Sequence, residues 1–189
     1  MTWVNWELDE EQQQFLDFVR RVTKLRNSQP VLQRRKFFAG RGMRGDGVKD
    51  ISWFGPSGHE MSDTDWTTGY VRCLGMRLAG DLIDEEDERG NTVRGDTLLV
   101  LLNAHYRQLP FVLPVARAEH HWEMLLDTSD DAIERLRLEG GQTYHLQGRS
   151  LAVLRTMDVR EAGQSEPTTV QFEWSPVAVR LQSLPVACR

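Results

Sequence analysis

Cysteine is scarce in this chain of 189 residues. It has two cysteines, Cys73 and Cys188, which stand far apart and form no CxxC pair. Small secreted domains that depend on disulfides are much richer in cysteine. The pattern therefore excludes a disulfide framework and predicts a cytoplasmic, reducing location.

Long hydrophobic runs are also missing. The longest, LLVLL at 98–102, is far too short to cross a bilayer as a helix. The first residues, MTWVNWELDEEQQQ, lack both the basic and the apolar region of a signal peptide. We therefore expect neither a membrane span nor secretion.

The chain has no excess of positive charge, since its formal net charge is −5. Residues 20–49 are rich in arginine and lysine, but part of this stretch is the basic end of a predicted helix. The aromatic residues that RNA-binding sheets interleave with basic ones are missing. We expect no nucleic-acid partner.

The motifs of common metal and cofactor sites are absent. His59 and Glu60 do not continue into HExxH, and His120 and His121, as neighbours on a strand, point to opposite faces. The acidic run at 84–88 lacks the spaced oxygens of a calcium loop. No P-loop, Rossmann or GxSxG motif occurs. We expect no metal and no cofactor.

Residues 9–27 carry the clearest helical pattern. Asp9 is placed as N-cap with Gln12 three residues later, as in a capping box, and Pro30 ends the helix. One face gathers the apolar residues Phe15, Phe18, Val19, Val22 and Leu25. No other helix is predicted to cover this face. We expect it to fold back onto the rest of the domain or to pair with a second copy in a homodimer.

After Pro30, short apolar runs recur between turns, which predicts an antiparallel β-sandwich behind one amphipathic helix. Segment 97–103 is apolar on both faces and is predicted central; 109–114, bracketed by prolines, is predicted at an edge. A hairpin is predicted to turn on Gly140-Gly141. The remaining predicted runs are KFFA, DISWF, VRCLGMRLA, HWEMLLD and SLAVLR. Alternation assigns Trp53 with Ile51, and Trp122 with Met124 and Leu126, to the core.

The stretch DISWFGPSGHEMSDTDW, residues 50–66, is the most unusual. Its loop carries three carboxylates and closes on a tryptophan, which suits either an active site or a surface that packs on something else. Residues outside strands or on this loop are the candidates for a contact surface: Trp3, Trp6, Glu60, Asp63, Asp65 and Trp66.

Several stretches resemble the C-terminal part of bacterial glycogen debranching enzymes, in the isoamylase branch of the alpha-amylase superfamily. They run in order from Trp3 to about Arg155. They are WVNWELDEEQQQFLDFVRRVTKLRNSQPVL, DISWFGPSGHEMSDTDW, RCLGMRLAGD, GDTLLVLLNAH and GRSLAVLR. The pattern of Trp53, Gly58, Glu60, Met61, Asp65 and Trp66 is specific to that branch.

The resemblance implies that a (β/α)8 catalytic barrel precedes a C-terminal sandwich. Residues 1–30 then resemble a remnant of that barrel with its final helix, 31–156 the sandwich, and 157–189 an extension of uncertain structure. The family's catalytic aspartates and glutamate lie on barrel strands, and no residue here matches them. WVNW also lacks the aspartate expected before Trp6. The resemblance implies that the chain is part of a longer enzyme, in which the six candidate contact residues would dock on the barrel or contact glucan.

Three functions remain open at this point. The first is an accessory domain of an enzyme hydrolysing α-1,6 branch linkages, which stabilises the barrel and has no catalytic residues of its own. The second is a free-standing domain that binds α-glucans. The third is an independent hydrolase using Glu60, Asp63 and Asp65, which is the weakest because nothing visible holds a lone polar loop in place.

Overall fold

A computed structural model describes residues 6–42, 48–69, 71–115, 120–130 and 136–158. Their helices are α1 (Glu10–Ser28) and α2 (Asp63–Trp66), with 3-10 turns at Pro30–Gln33 and Gly80–Leu82. The strands are β1 (Ile51–Phe54), β2 (Cys73–Leu78), β3 (Leu98–Asn103), β4 (Leu109–Val112), β5 (His120–Asp127), β6 (Arg137–Leu138), β7 (Thr143–Leu146) and β8 (Ser150–Asp158). No helix in these ranges is both long enough and apolar enough to cross a membrane.

Two antiparallel sheets form the body of the described chain. One has six strands in the order β1-β2-β3-β8-β5-β6, and the other pairs β4 with β7. The main core lies between them, where Phe111 and Leu146 of the small sheet pack on Leu101 and Trp122 of the large one. The predicted mainly β, sandwich-like fold with one N-terminal helix is confirmed. We call the side of the large sheet that faces the small one its inner face, and the opposite side its outer face.

Strand β3 is central, as its apolar pattern predicts. It pairs with β2 on one side and β8 on the other. Leu99 and Leu101 point into the main core. Leu98 points to a second cluster on the outer face, where Val31 and Ile83 belong to the segments that cover one end of that face.

Two of the three core residues predicted in β5 are confirmed. Trp122 and Met124 are buried in the main core, but Leu126 is only half-buried. The pairing of β5 with β8 shifts between Met124 and Leu126. This bulge adds one residue to the alternation, so that Asp127 takes the inward position that regular spacing predicts for Leu126.

The predicted hairpin at Gly140-Gly141 is wrong. A turn is present, but the strand before it, β6, pairs with β5, whereas the strand after it, β7, pairs with β4. The chain therefore crosses from one sheet to the other at this turn. KFFA at 36–39 is not a strand either; Phe37 is fully in solvent and Phe38 packs against the second cluster.

The assignment of Trp53 to the core is also wrong. Ser52 and Phe54 are the buried residues of β1, and Trp53 is half-buried on the outer face. The alternation along β1 is thus as predicted, but its phase is opposite. Ile51, on the same face as Trp53, packs against the second cluster rather than the main core.

Helix α1 begins as predicted. Asp9 accepts a hydrogen bond from the Gln12 backbone, and the Gln12 side chain accepts one from the Asp9 backbone. The residue after the helix, Gln29, is buried and donates to Asp96, which also binds Arg155. The end of α1 is therefore fixed to the large sheet through a polar network. The proposed domain limits at residues 30 and 156 stay predictions, and residues 159–189 lie outside the described residues.

Candidate docking surface

The apolar stripe of α1 lies at the surface. None of the residues of α1 is buried. Phe15 is 67% exposed, Val19 and Val22 are exposed, and Phe18 and Leu25 are half-buried. The alternative that α1 folds back onto the sheet is therefore wrong, because folding back would bury this stripe. A helix that is apolar along one face and buries nothing there presents a surface for another body.

A second apolar surface lies on the outer face of the large sheet. Trp53, Met76, Val100 and Val153 are cross-strand neighbours in one row, so their side chains share that face. The adjacent row consists of Leu74, Leu102 and Leu151, all half-buried. Leu74, Met76 and Leu78 are alternate residues of β2 and therefore share this face. The two rows form an apolar area that the segments on the second cluster do not fully cover.

Trp66 lies next to this area because α2 places it there. Its ring meets that of Trp53 edge to face, with 5.5 Å between centroids and 82° between planes. Trp66 is 51% exposed. The backbone N–H of Met61 donates to the Trp53 carbonyl at 2.8 Å, which holds the start of the loop against β1. Trp66 therefore extends the outer face rather than belonging to the core.

The loop carboxylates mainly fix the loop itself. Asp65 accepts hydrogen bonds from the Ser62 backbone at 2.8 Å and from its hydroxyl at 2.7 Å, closing a capping box on α2. These two bonds hold the pKa of Asp65 below its usual value. Glu60 makes an ion pair with Lys49 at 2.7 Å, and Asp63 lies in the first turn of α2. The lowered pKa makes Asp65 a poor general acid, and its hydrogen bonds fix the start of α2.

Of the two N-terminal candidates, Trp6 is not brought to this loop. Trp6 is 84% exposed, and the aromatic partner of Trp66 is Trp53 rather than Trp6. Trp3 lies outside the described residues. Within the described ranges, no group of histidine, cysteine, aspartate or glutamate residues is arranged to hold a metal ion.

Sequence reasoning missed the outer-face rows as a site. The sequence of β3 did carry a signal for this site, because β3 is apolar on both faces. The structure covers its outer face only in part. Ser62 followed by Asp65 also matches the [ST]-x-x-[DE] capping pattern and predicts a short helix ending near Trp66.

Comparison with known proteins agrees with the resemblance that the sequence shows. The family described as "Isoamylase, C-terminal" matches residues 50–155. The glycogen operon protein GlgX homologs of Mycobacterium bovis and Mycobacterium tuberculosis are each 38% identical over 157 residues. That alignment covers 82% of this chain but 22% of each mycobacterial protein, so the chain spans a small part of the relatives that it matches.

Proposed function

Because this chain belongs to the isoamylase C-terminal family, we propose that it is the accessory domain of a glycogen debranching enzyme hydrolysing α-1,6 branch linkages. Its proposed partner is a catalytic barrel in the same enzyme, which supplies the catalytic carboxylates. The proposal places the domain in the cytoplasm, in line with its cysteine usage.

The exposed stripe of α1 is the observation that carries the docking role. Burying a large apolar side chain is worth about 1.5–3 kcal/mol, so leaving Phe15 and its neighbours in water forgoes a large stabilisation. Contiguous apolar patches of this kind mark protein–protein contacts. The half-buried residues of the outer face, which are Trp53, Met76, Leu74, Leu102 and Leu151, offer a second contact area with Trp66 beside them.

A stabilising rather than catalytic role is supported by the loop carboxylates. Hydrolysis of a glycosidic bond needs one carboxylic acid and one carboxylate on either side of the bond. Glu60 is paired with Lys49, and Asp65 caps α2. The domain would act by covering apolar surface of the barrel and holding it in its active form.

The second candidate is a domain that binds α-glucans independently of any barrel. The specific observation in its favour is the exposed indole of Trp66, since apolar faces of sugar rings stack on aromatic rings. This candidate predicts glucan binding that is lost on Trp66→Ala, whereas docking predicts that Trp66→Ala weakens contact with the barrel.

A chimera tests the docking proposal. This chain would replace its matching segment in the Mycobacterium tuberculosis relative, with release of reducing ends from a branched limit dextrin as the readout. Phe15→Asp should lower the chimera's melting temperature and activity but leave the melting of the isolated chain unchanged at concentrations where that chain is monomeric. Asn27→Asp is the matched control, because Asn27 is exposed and lies on α1 about 120° around the helix from Phe15, away from the apolar stripe.

Two results would contradict the proposal. One is release of reducing ends by the isolated chain, which would mean that it has catalytic groups of its own. The other is a chimera whose stability and activity are indifferent to Phe15→Asp. Without a barrel, we expect the isolated chain to dimerise through residues 9–27, and Phe15→Asp should shift its sedimentation toward the monomer.

A further inference from the structure

A polar pocket of about 740 Å³ opens beside the small sheet. Its volume lies within the range of small-molecule sites, about 300–1,000 Å³. Its lining includes the side chains of Tyr106, Gln108, Thr143, Tyr144, His145 and Gln147. They come from β7 and from the loops around it, on a part of the chain that the docking surface does not use.

The backbone around this pocket is held by one buried side chain. The Asn103 amide donates to the carbonyl oxygens of Arg107 at 3.0 Å, Leu146 at 3.2 Å and Gln147 at 2.8 Å. Its own oxygen accepts from the His105 backbone at 2.9 Å. Asn103 therefore ties the loop after β3 to the end of β7, which fixes the pocket's shape before any ligand arrives.

A close backbone approach strengthens this link. A Cβ atom added to Gly148 would lie 2.4 Å from the carbonyl oxygen of Tyr106. Only glycine therefore fits at this point, where the two loops that line the pocket touch. The position of Tyr106 relative to β7 is thus set by backbone contact rather than by side chains alone.

Two tyrosine rings line the pocket, and both are held in place. The Tyr144 hydroxyl donates to the buried carboxylate of Asp127, which also accepts from the Ser129 backbone at 2.7 Å. Burial, together with the Asp127 carboxylate, raises the pKa of Tyr144, so its hydroxyl stays protonated. Tyr106 is 60% exposed, and its ring stacks on His105 with 4.4 Å between centroids.

The remaining lining is polar and mostly neutral. Gln108, Thr143, His145 and Gln147 are exposed and offer both donors and acceptors. Asp130 is the one carboxylate among the described lining residues, and beside the pocket the exposed Arg107 guanidinium lies over the Tyr106 ring, 5.2 Å from its centroid. Apart from these two charges, the side chains suit a neutral ligand with many hydroxyl groups.

We propose that this pocket binds a segment of α-glucan chain. A glucose ring takes the place of the exposed Arg107 guanidinium on the Tyr106 ring, and His145 and Gln147 bind sugar hydroxyls. The choice of α-glucan among neutral saccharides rests on the proposed function. That the pocket binds a neutral saccharide at all is inferred from its lining alone. A site here, separate from the docking surface, would hold a branched polymer near the enzyme while the barrel acts on it.

Titration of the whole chain with maltoheptaose, followed by amide chemical shifts, tests this proposal. We expect saturable shifts at residues around the pocket. Tyr106→Ala and His145→Ala should each weaken binding by about tenfold or more, the loss expected when a central contact is removed. Phe37→Ala is the matched control and should bind normally, because it truncates an aromatic side chain that is 98% exposed and lies outside the pocket. All three side chains are exposed, so thermal melting should show every variant to be folded.

Three outcomes would overturn the proposal: no saturable binding at millimolar maltoheptaose, equal binding of cellohexaose, or binding that survives both pocket substitutions. If Trp66→Ala abolished binding and the two pocket substitutions did not, the sugar-binding site would lie on the outer face. The chimera experiment is independent of these results. If the chimera is active but the chain does not bind glucan, only the glucan-binding proposal is rejected. If the chain binds glucan but the chimera is inactive, only the docking proposal is rejected.

Discussion

Trp53 and Trp66 meet edge to face at 5.5 Å and thereby join β1 to α2. Such aromatic pairs are worth about 0.5–1.5 kcal/mol beyond the area they bury. Trp53→Ala and Trp66→Ala should therefore be non-additive by about that amount in urea unfolding of the isolated chain. Trp6→Ala combined with Trp53→Ala is the control and should be additive. Additive effects of Trp53 and Trp66 would show that the pair is not in contact in solution.

Trp122 should matter far more to stability than Trp53. Trp122 is 1% exposed, and its indole N–H donates to the Pro114 carbonyl at 3.0 Å. Its truncation to alanine should cost about 3–5 kcal/mol of the free energy of unfolding, as is usual for a buried aromatic residue. Trp53→Ala should cost clearly less, because that ring is half-buried. Equal losses would place Trp53 in the core after all.

Asp50 should be the most sensitive carboxylate of the fold. It is fully buried and accepts from the Ala39 and Gly40 backbone, each at 2.9 Å, and from the buried Arg34 at 3.3 Å. Asp50→Asn leaves the Arg34 charge buried without its partner, which typically costs about 3–5 kcal/mol. Asp84→Asn is the control, since its pair with Lys36 is exposed and screened by water, and it should melt like the unchanged chain.

The contribution of Asp50 to the free energy of unfolding should depend on pH. Burial raises its pKa, but the hydrogen bonds from Ala39 and Gly40 and the charge of Arg34 outweigh burial, so its folded-state pKa is lowered. A lowered pKa contributes stability that is complete above the unfolded-state pKa and disappears as pH falls through the folded-state value. The difference in unfolding free energy between the unchanged chain and Asp50→Asn should therefore shrink in acid. A difference that stays constant with pH would contradict this assignment.

Cys73 should be unreactive in the folded chain. Burial raises the pKa of its thiol to about 11, and the thiolate is the form that alkylating agents attack. In a Cys188→Ser variant, where Cys73 is the remaining thiol, iodoacetamide at pH 8 should label the protein only after guanidinium is added. Rapid labelling without denaturant would mean that β2 opens readily.

Local patterns predicted several elements correctly because they depend on neighbours in the sequence. The capping box at Asp9 and the central position of β3 follow from residue types at fixed spacings. The phase of β1 could not be obtained this way, since Ile51 with Trp53 and Ser52 with Phe54 alternate equally well. Which pair faces inward depends on the position of the small sheet.

The other errors also come from long-range pairing. The bulge in β5 is invisible in the alternation and appears only when the strand is aligned with β8. The turn at Gly140-Gly141 looks like a hairpin, but its two strands find partners in different sheets. The pocket near Tyr106 is formed by β7 and a loop distant in sequence, and Asn103, which joins them, looks from its sequence like the last residue of an apolar strand.

The exposed position of α1 has a consequence for hydrogen exchange. A helix that buries no residue opens without the sheets, so its amide protons exchange through local fraying rather than through global unfolding. Isolated helices in water are only marginally stable when they lack tertiary packing. Slow exchange along residues 10–28 would therefore appear only when another body covers the apolar stripe, which makes the backbone of α1 a direct reporter of assembly.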